Sequence, residues 1–295
     1  MRKLAALLLL VGCAAATTSR PPVPPMSPEI RAQRERDLAA ARAAYEQAPN
    51  DADALIWLGR RTAYLGNYDE AIDLFTEGIE KHPNDARMLR HRGHRWITVR
   101  QFDNAVADLN RAATLVAGKP DQVEPDGLPN ARNLPLTTLQ SNIWYHLGLA
   151  HYLNGDFEKA LEAYRECMKV STNPDGVVST SHWLYMTLRR LGRPAEAERV
   201  LEPISTDMEI IENRAYHRLL LLYRGEIAPE ELLREDPATV DGATIHYGVG
   251  NWYLSGGEPE RARPIFERIV AGPQWSSFGY IAAERELSSR EPSSR

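Results

Sequence analysis

The side chains of this sequence that could do chemistry are few and scattered. His91 and His94 stand three residues apart, so on a helix they would share one face and could hold a metal ion together. A functional metal site needs at least three protein ligands, and no acidic or cysteine side chain of suitable spacing accompanies this pair. The sequence has no Gly-rich phosphate loop, nucleophile elbow or paired catalytic motif. It therefore predicts no metal, no cofactor and no enzyme.

The composition excludes further classes of protein. The 295 residues carry a formal net charge of −5, which argues against a general polybasic nucleic-acid binder, because phosphate contacts need clustered positive charge. Two cysteines are too few for a disulfide-rich scaffold. No apolar run after residue 13 reaches the roughly 20 residues of a membrane span.

The N-terminus reads as a targeting segment. Arg2 and Lys3 form a short basic region, and the apolar stretch 4–11 is too short to cross a bilayer, which is typical of a secretory signal peptide. The stretch ends in Leu-Val-Gly-Cys at 10–13, which resembles the bacterial lipobox. The resemblance implies a signal peptide over 1–12, cleavage after Gly12 and a lipid on Cys13. Cleavage at 14–16, giving a soluble secreted or periplasmic protein, stays open.

The residue after the cysteine and the segment that follows bear on where the chain is held. Ala14 is not the Asp that lipoproteins use for inner-membrane retention, so the resemblance implies an outer-membrane lipoprotein facing the periplasm, if the source has two membranes. Which leaflet holds the anchor stays open. Residues 13–28 hold five prolines, which favour extended polyproline II and predict a tether of about 40 Å at ~3.1 Å per residue.

The rest of the chain repeats itself. Tyr68 and Phe102 stand 34 residues apart, and so do Ala71 and Ala105. A period of this length indicates a repeat array. Small residues recur where two helices would touch, and large ones recur one helix later, as with Gly59 and Phe75.

These motifs resemble the tetratricopeptide repeat (TPR), a 34-residue helix–turn–helix. The first repeat has Leu58, Gly59, Gly66, Tyr68, Ala71, Phe75 and Pro83 at the family positions. The resemblance implies an all-α superhelical solenoid of about six repeats over 51–275, with the fourth and fifth degenerate. We predict capping helices over 29–50 and 276–288 and a disordered tail over 289–295.

One irregular segment interrupts the array. Residues 119–136, called the insertion below, contain four prolines and the acidic residues Asp121, Glu124 and Asp126. Long loops in compact arrays are uncommon and often functional. A lid or ligand contact and a tolerated surface loop are both open, and the acidic residues lack the spacing of a calcium loop.

In the family, first helices line a concave groove that binds partner peptides. Carried over residue by residue, the groove of this chain would present Arg60, Tyr64, Arg87, Arg90, His94, Asn142, Tyr145, Tyr152, His182, Tyr247 and Asn251. Arginine pairs with carboxylates and tyrosine supplies rigid contact area, so we expect a protein or an extended peptide with acidic and aromatic or apolar side chains as partner. The arginines could instead be a solvated helix face. The carboxylate clamp of some members needs Lys and Asn where this chain has Ile56 and Arg60.

The sequence thus predicts a membrane-anchored scaffold or adaptor that binds a protein or peptide in its groove. A cell-wall glycan or peptidoglycan-binding module that uses exposed tryptophans, and an assembly factor of the envelope, are the alternatives. Partner, pathway and oligomeric state are not encoded in any pattern found here.

Overall fold

The computed structural model describes residue 23 and residues 25–288. The predicted signal peptide, Cys13, most of the tether and the tail 289–295 lie outside the described residues. Fourteen helices form the described part: α1 Pro28–Gln47, α2 Ala52–Tyr64, α3 Tyr68–Lys81, α4 Ala86–Thr98, α5 Phe102–Val116, α6 Leu139–Asn154, α7 Phe157–Val170, α8 Pro174–Arg190, α9 Pro194–Leu201, α10 Arg214–Tyr223, α11 Pro229–Leu232, α12 Val240–Ser255, α13 Pro259–Val270 and α14 Phe278–Ser288.

The helices pair in chain order, and the predicted all-α solenoid is confirmed. Helices α2 to α13 follow one another as six pairs, and in five of them the first helix packs against the second; in the fifth pair, α10 packs on α8 and α12 instead of on α11. The fifth pair is short, with ten residues in α10 and four in α11. Within residues 25–288 the β-structure consists of one isolated bridge between Val123 and Thr138, which closes the base of the insertion.

Local sequence signals set where the helices begin and end. The side chain of Asp51 accepts a hydrogen bond from the backbone N–H of Ala54, which caps α2. Thr138 and Ser141 form a reciprocal capping box at the start of α6. Gly155 follows α6 with φ of +86°, a conformation that glycine adopts without strain.

The close approach of the two helices in a repeat depends on glycine. A Cβ at Gly148 would lie 2.7 Å from the ring of Tyr164 on the next helix, and a Cβ at Gly59 would lie 2.6 Å from Phe75. The same contact recurs at Gly93 and Gly250, so it is a property of the repeat. Aromatic and leucine side chains of second helices therefore fill the space that the missing Cβ leaves.

The two terminal helices differ in how they join the array. Helix α1 has no buried residue and is attached through polar contacts, such as the Arg34 guanidinium donating to the carbonyl of Tyr64 at 2.7 Å. Helix α14 packs on α12 and α13, as a capping helix would, but it also contacts α6. It therefore turns inward, toward the face that the first helices line.

The glycine contact can be tested by adding one methyl group. We expect Gly148→Ala to lower the free energy of unfolding by about 1–3 kcal/mol, because the Tyr164 ring must move. In most helices the same change is stabilising by roughly 0.5–1 kcal/mol. Urea denaturation gives the measurement.

Gly176→Ala is the matched control, because its Cβ would meet its nearest neighbour at 3.5 Å, an ordinary contact. It should be neutral or stabilising. Equal effects of the two substitutions would contradict the packing described.

Candidate partner-binding groove

The first helices of the repeats form the inner face of the superhelix, and they contact one another from α2 through α8 to α12. All eleven predicted groove residues lie on these helices. The structure divides them into two sets. Arg60, Tyr64, Arg87, Arg90 and His94 belong to repeats one and two, and the remaining six belong to repeats three to six.

The second set is buried against the chain itself. Tyr247 donates a hydrogen bond to the Tyr152 hydroxyl at 3.0 Å, and Tyr152 lies 3.4 Å from the Asn251 side-chain oxygen. These three residues are at most 3% exposed. The Trp183 indole donates to the Tyr145 hydroxyl at 2.8 Å. These side chains join α6, α8 and α12; Tyr152, Tyr247 and Asn251 are buried, whereas Tyr145 is half-buried and lines a cavity of about 240 Å³ together with Phe278.

His182 and Asn142 are also held internally. His182 is fully buried, and its ring nitrogen Nδ1 lies 3.2 Å from the hydroxyl of Tyr223. The Asn142 amide donates to Thr137 at 2.9 Å and to Glu124 at 3.2 Å. Both residues lie on first helices, as predicted, and both are buried in the described structure. That they contact a partner stays a prediction.

Helix α14 fills the inner face of the second half of the array. The Glu286 carboxylate, 7% exposed as a side chain, forms an ion pair with Arg190 of α8. The Phe278 ring lies 5.4 Å from the His94 ring and 5.7 Å from the His146 ring, between centroids. The Arg285 guanidinium donates to the carbonyl of Leu153 at 3.0 Å. Helix α14 thus contacts the first helices through an ion pair, a hydrogen bond and an aromatic ring.

Arg100 holds both α14 and the segment that precedes it. Arg100, in the turn after α4, pairs with Glu284 at 2.8 Å, and its guanidinium also lies over the Trp275 ring, 4.4 Å from the centroid. Trp275 in turn lies 5.9 Å from the ring of Tyr68. These contacts join the end of the chain to repeats one and two.

The insertion covers the first set. Glu124 lies 3.0 Å from Arg90 Nε, and both side chains are only 10% exposed. The Arg61 guanidinium donates to the carbonyl of Gly127 at 2.8 Å. Gly127 lies so close to Tyr64 that a Cβ there would meet its hydroxyl at 1.8 Å. An extended acidic segment of the same chain therefore occupies the arginine- and tyrosine-lined groove.

The insertion reaches across the opening of the superhelix. On its far side the Asn130 amide donates to Glu212 at 2.7 Å, and Arg132 pairs with Glu209 at 2.6 Å. Its apolar side chains point outward, since Val123, Leu128 and Leu134 are 62%, 56% and 48% exposed. Polar contacts therefore hold the insertion in place, whereas apolar burial helps to hold α14.

Arg87 lies outside this cover. It pairs with Asp85 at 2.6 Å and with Asp53 at 2.5 Å, and its side chain is 36% exposed. Its two carboxylate partners already neutralise its charge. Of the predicted groove arginines, Arg60 and Arg90 are therefore the ones that the acidic insertion covers.

The residues first considered for chemistry serve packing. His91 stacks on the Phe75 ring and His94 on the His146 ring, and no group of three or more metal-ligating side chains occurs within the described residues. Burial raises the pKa of the Cys167 thiol to about 11, which keeps it protonated. All six tryptophans fall in the described part: Trp183 and Trp275 are buried, and the other four are half-buried.

The sequence pattern missed the side chains that occupy the groove. Glu124 was recognised only as part of an acidic trio, and Phe278 and Glu286 only as part of a terminal helix. Their partners stand far away in sequence, as with Arg190 and Glu286, which are 96 residues apart. The one local feature that could have indicated these contacts is the acidic insertion, which follows the arginine-rich first helices in the sequence.

Comparison with known families agrees with the geometry. Models of the tetratricopeptide repeat match residues 31–86, 58–121 and 141–171. The chain belongs to the tetratricopeptide repeat family. The gap between the matches, 122–140, lies over most of the insertion and the start of α6. TPR arrays are protein–protein interaction scaffolds, and this chain is one.

Individual relatives are distant. The BBSome complex member BBS4 of Bos taurus is 26% identical over 141 residues, which cover 48% of this chain and 23% of BBS4. This chain thus spans less than a quarter of that relative. YrrB, described as a TPR protein with an unusual peptide-binding site, is 14% identical with a TM-score of 0.44, over 84% of this chain and 98% of its own. MamA is 16% identical with a TM-score of 0.45, over 68% and 90%.

Buried histidines on the inner face make stability depend on pH. Burial lowers the pKa of His182 to about 3, and it also lowers the pKa of His94 and of His146 well below the ordinary value. The unfolded chain therefore binds more protons than the folded chain below about pH 6.5. We expect the free energy of unfolding to be flat above pH 7.5 and to fall toward pH 5.5.

His182→Gln should make this slope shallower, by at most ~1.4 kcal/mol per pH unit for one histidine. Urea denaturation at pH 7.5, 6.5 and 5.5 gives the measurement. A stability that does not change over this range would contradict the burial of neutral imidazoles.

Proposed function

We propose that this chain is a membrane-tethered adaptor that binds an extended acidic segment of a partner protein at the first helices of repeats one and two. The observation that carries the proposal is the insertion itself. Glu124 pairs with Arg90, and the Gly127 backbone is held by Arg61 and Tyr64. This contact within the chain supports an acidic peptide as the occupant of the groove.

The groove favours carboxylates for a local reason. The whole chain is acidic, but Arg60, Arg61 and Arg90 converge on the short stretch of the insertion around Glu124 and Gly127. Arginine presents several N–H donors in a planar fork that matches a carboxylate. Asp126 adds a second acid near Arg60. A partner with an acid, a spacer residue and a second acid would reproduce this pattern.

The insertion can leave because few apolar contacts hold it. Three of its four large apolar side chains are exposed, Leu136 being half-buried, and the contacts on the groove side are one ion pair and a few hydrogen bonds. A partner segment would replace these contacts with similar ones of its own. Since only the open fraction binds, weakening the internal contact should raise the apparent affinity.

The tether is the second part of the proposal. Within residue 23 and residues 25–288, no helix is both long and apolar enough to cross a membrane. The Leu-Val-Gly-Cys sequence at 10–13 supports a lipid on Cys13, with the folded part held away from the membrane by the proline-rich segment. Loss of Arg2 and Lys3 with the signal peptide would change the net charge from −5 to −7, so acyl chains would supply the attachment.

A peptide with the sequence of residues 122–130 is a direct probe for the groove. We expect Glu124→Gln in the full chain to raise the affinity for this probe about 10-fold, because a charge-assisted contact of roughly 1.5–3 kcal/mol no longer holds the insertion closed. Adding Arg90→Gln should remove the gain. Isothermal titration calorimetry gives the affinities.

The exposed acid Glu162 provides the control, and Glu162→Gln should bind the probe as the wild type does. If Glu124→Gln and the wild type bound the probe equally, or not at all, the groove would not be the binding site.

The anchor is tested with the two cysteines of the chain. We expect the wild type in the membrane fraction and Cys13→Ala in the soluble fraction, because the acyl chains are attached at Cys13. Cys167→Ala should leave the distribution unchanged, since the Cys167 thiol is buried inside the array. A Cys13→Ala chain that stays in the membrane fraction would contradict lipidation, and a soluble wild type would favour cleavage at 14–16.

A further inference from the structure

A small, partly open cavity lies on the inner face of repeats one and two. Its volume is about 60 Å³, and its walls include the side chains of Arg60, Arg95, His91, His94, Tyr64 and Phe75. Two arginines, Arg60 and Arg95, border this small space, so its walls carry positive charge.

These two arginines differ from the other arginines of their helices. Arg61 lies 3.5 Å from Asp37, Arg90 lies 3.0 Å from Glu124, and Arg92 lies 2.7 Å from Asp108. Within residues 25–288, neither Arg60 nor Arg95 has a carboxylate oxygen within 4.0 Å, although Asp126 lies close enough to Arg60 for their charges to interact. Neither arginine that borders the cavity therefore has a direct ion-pair partner.

Aromatic rings compensate these cations only in part. The Arg60 guanidinium lies 4.5 Å from the centroid of the Trp57 ring, and that of Arg95 lies 5.7 Å from the Tyr68 ring. Burial lowers the pKa of Arg95 to about 10, still far above neutrality, so the group keeps its charge. Arg60 is 9% exposed and Arg95 is half-buried. A cation that is largely removed from water without a direct ion-pair partner is costly, which favours an anion in this space.

The polar side chains that line the cavity offer mainly hydrogen-bond donors, which an anion would accept from. Arg60 Nε donates to the Tyr64 hydroxyl at 3.3 Å, so the hydroxyl hydrogen of Tyr64 is free to point elsewhere. Guanidinium groups have donors and no acceptors. His94 is neutral, since burial lowers its pKa well below the ordinary value, and so it adds no positive charge that would need a second anion.

We propose that this cavity is a binding site for one small monovalent anion, a halide or a carboxylate, held between Arg60 and Arg95. A cavity of about 60 Å³ has room for a few water molecules, which suits chloride or the carboxylate of acetate, and it is too small to enclose a sugar acid or a nucleotide. The site goes beyond the proposed function, because it requires no partner protein. A carboxylate side chain of a partner peptide is the other source of the same chemistry.

The test is the thermal unfolding of the full chain when the anion is changed at constant ionic strength. Sodium gluconate, whose anion is too large for the cavity, is the reference. Exchange for sodium chloride or sodium acetate should raise the midpoint by ~2–3 °C when the anion reaches about ten times its dissociation constant.

Three variants separate this site from general salt effects. Arg95→Met should abolish the rise, and Tyr64→Phe, which keeps every charge, should reduce it. Arg263→Met is the control, since Arg263 is exposed and paired only with Glu267 at 2.8 Å. Its response should equal that of the wild type. Broadening of the ³⁵Cl resonance by wild type, lost in Arg95→Met, would support the site even if that variant is unstable.

Three results would overturn the proposal. The first is a wild-type midpoint that is the same in gluconate, chloride and acetate. The second is an equal rise in wild type and Arg95→Met. The third is a response to the acidic probe peptide but to neither free anion, which would give the arginines to the partner's carboxylate. None of these results decides whether the groove binds a peptide, because that is measured by the Glu124→Gln titration.

Discussion

Polar side chains that are buried must find partners, and this requirement governs the inner face of the superhelix. The first helices of repeats three and six approach closely enough for Tyr152, Tyr247 and Asn251 to meet. Other parts of the chain supply further polar partners to this face. Glu286 comes from the last helix and Glu124 from the insertion. Helix α14 and the insertion, the two segments outside the regular repeats, thus supply the carboxylates that pair with arginines of the first helices.

The two complements are held in physically different ways, and this difference divides the groove. Helix α14 enters with Trp275 and Phe278 among aromatic rings, so its departure would expose apolar surface. The insertion leaves Val123 and Leu128 in solvent and relies on polar contacts. The second half of the inner face is therefore covered mainly through apolar contacts, and the half over repeats one and two mainly through polar ones, which is why the proposal places the partner there.

The sequence predicts the features that recur in every repeat, and it does not predict the long-range contacts that occur only once in the chain. The 34-residue period identifies the helix pairs, and Gly148 opposite Tyr164 follows from the family pattern as well as from the structure. The amphipathic pattern of α14 shows that one face is buried but not against what. Glu286 and Arg190 each look like a solvated charge, because a pair 96 residues apart leaves no local trace. The predicted groove residues are correctly placed on first helices, but the degree of closure that buries Tyr247 and Asn251 depends on the whole array.

The central claim is that an acidic peptide takes the place of the insertion on repeats one and two. Hydrogen exchange of the full chain, with and without the peptide of residues 122–130, tests it most directly. The Glu124 amide bonds to the Thr137 carbonyl at 3.0 Å and the Leu139 amide to Gln122 at 2.8 Å, so both report on the closed insertion. The account predicts faster exchange at these amides on binding and no change in α14. Binding that leaves them protected, or that loosens α14 instead, would contradict it.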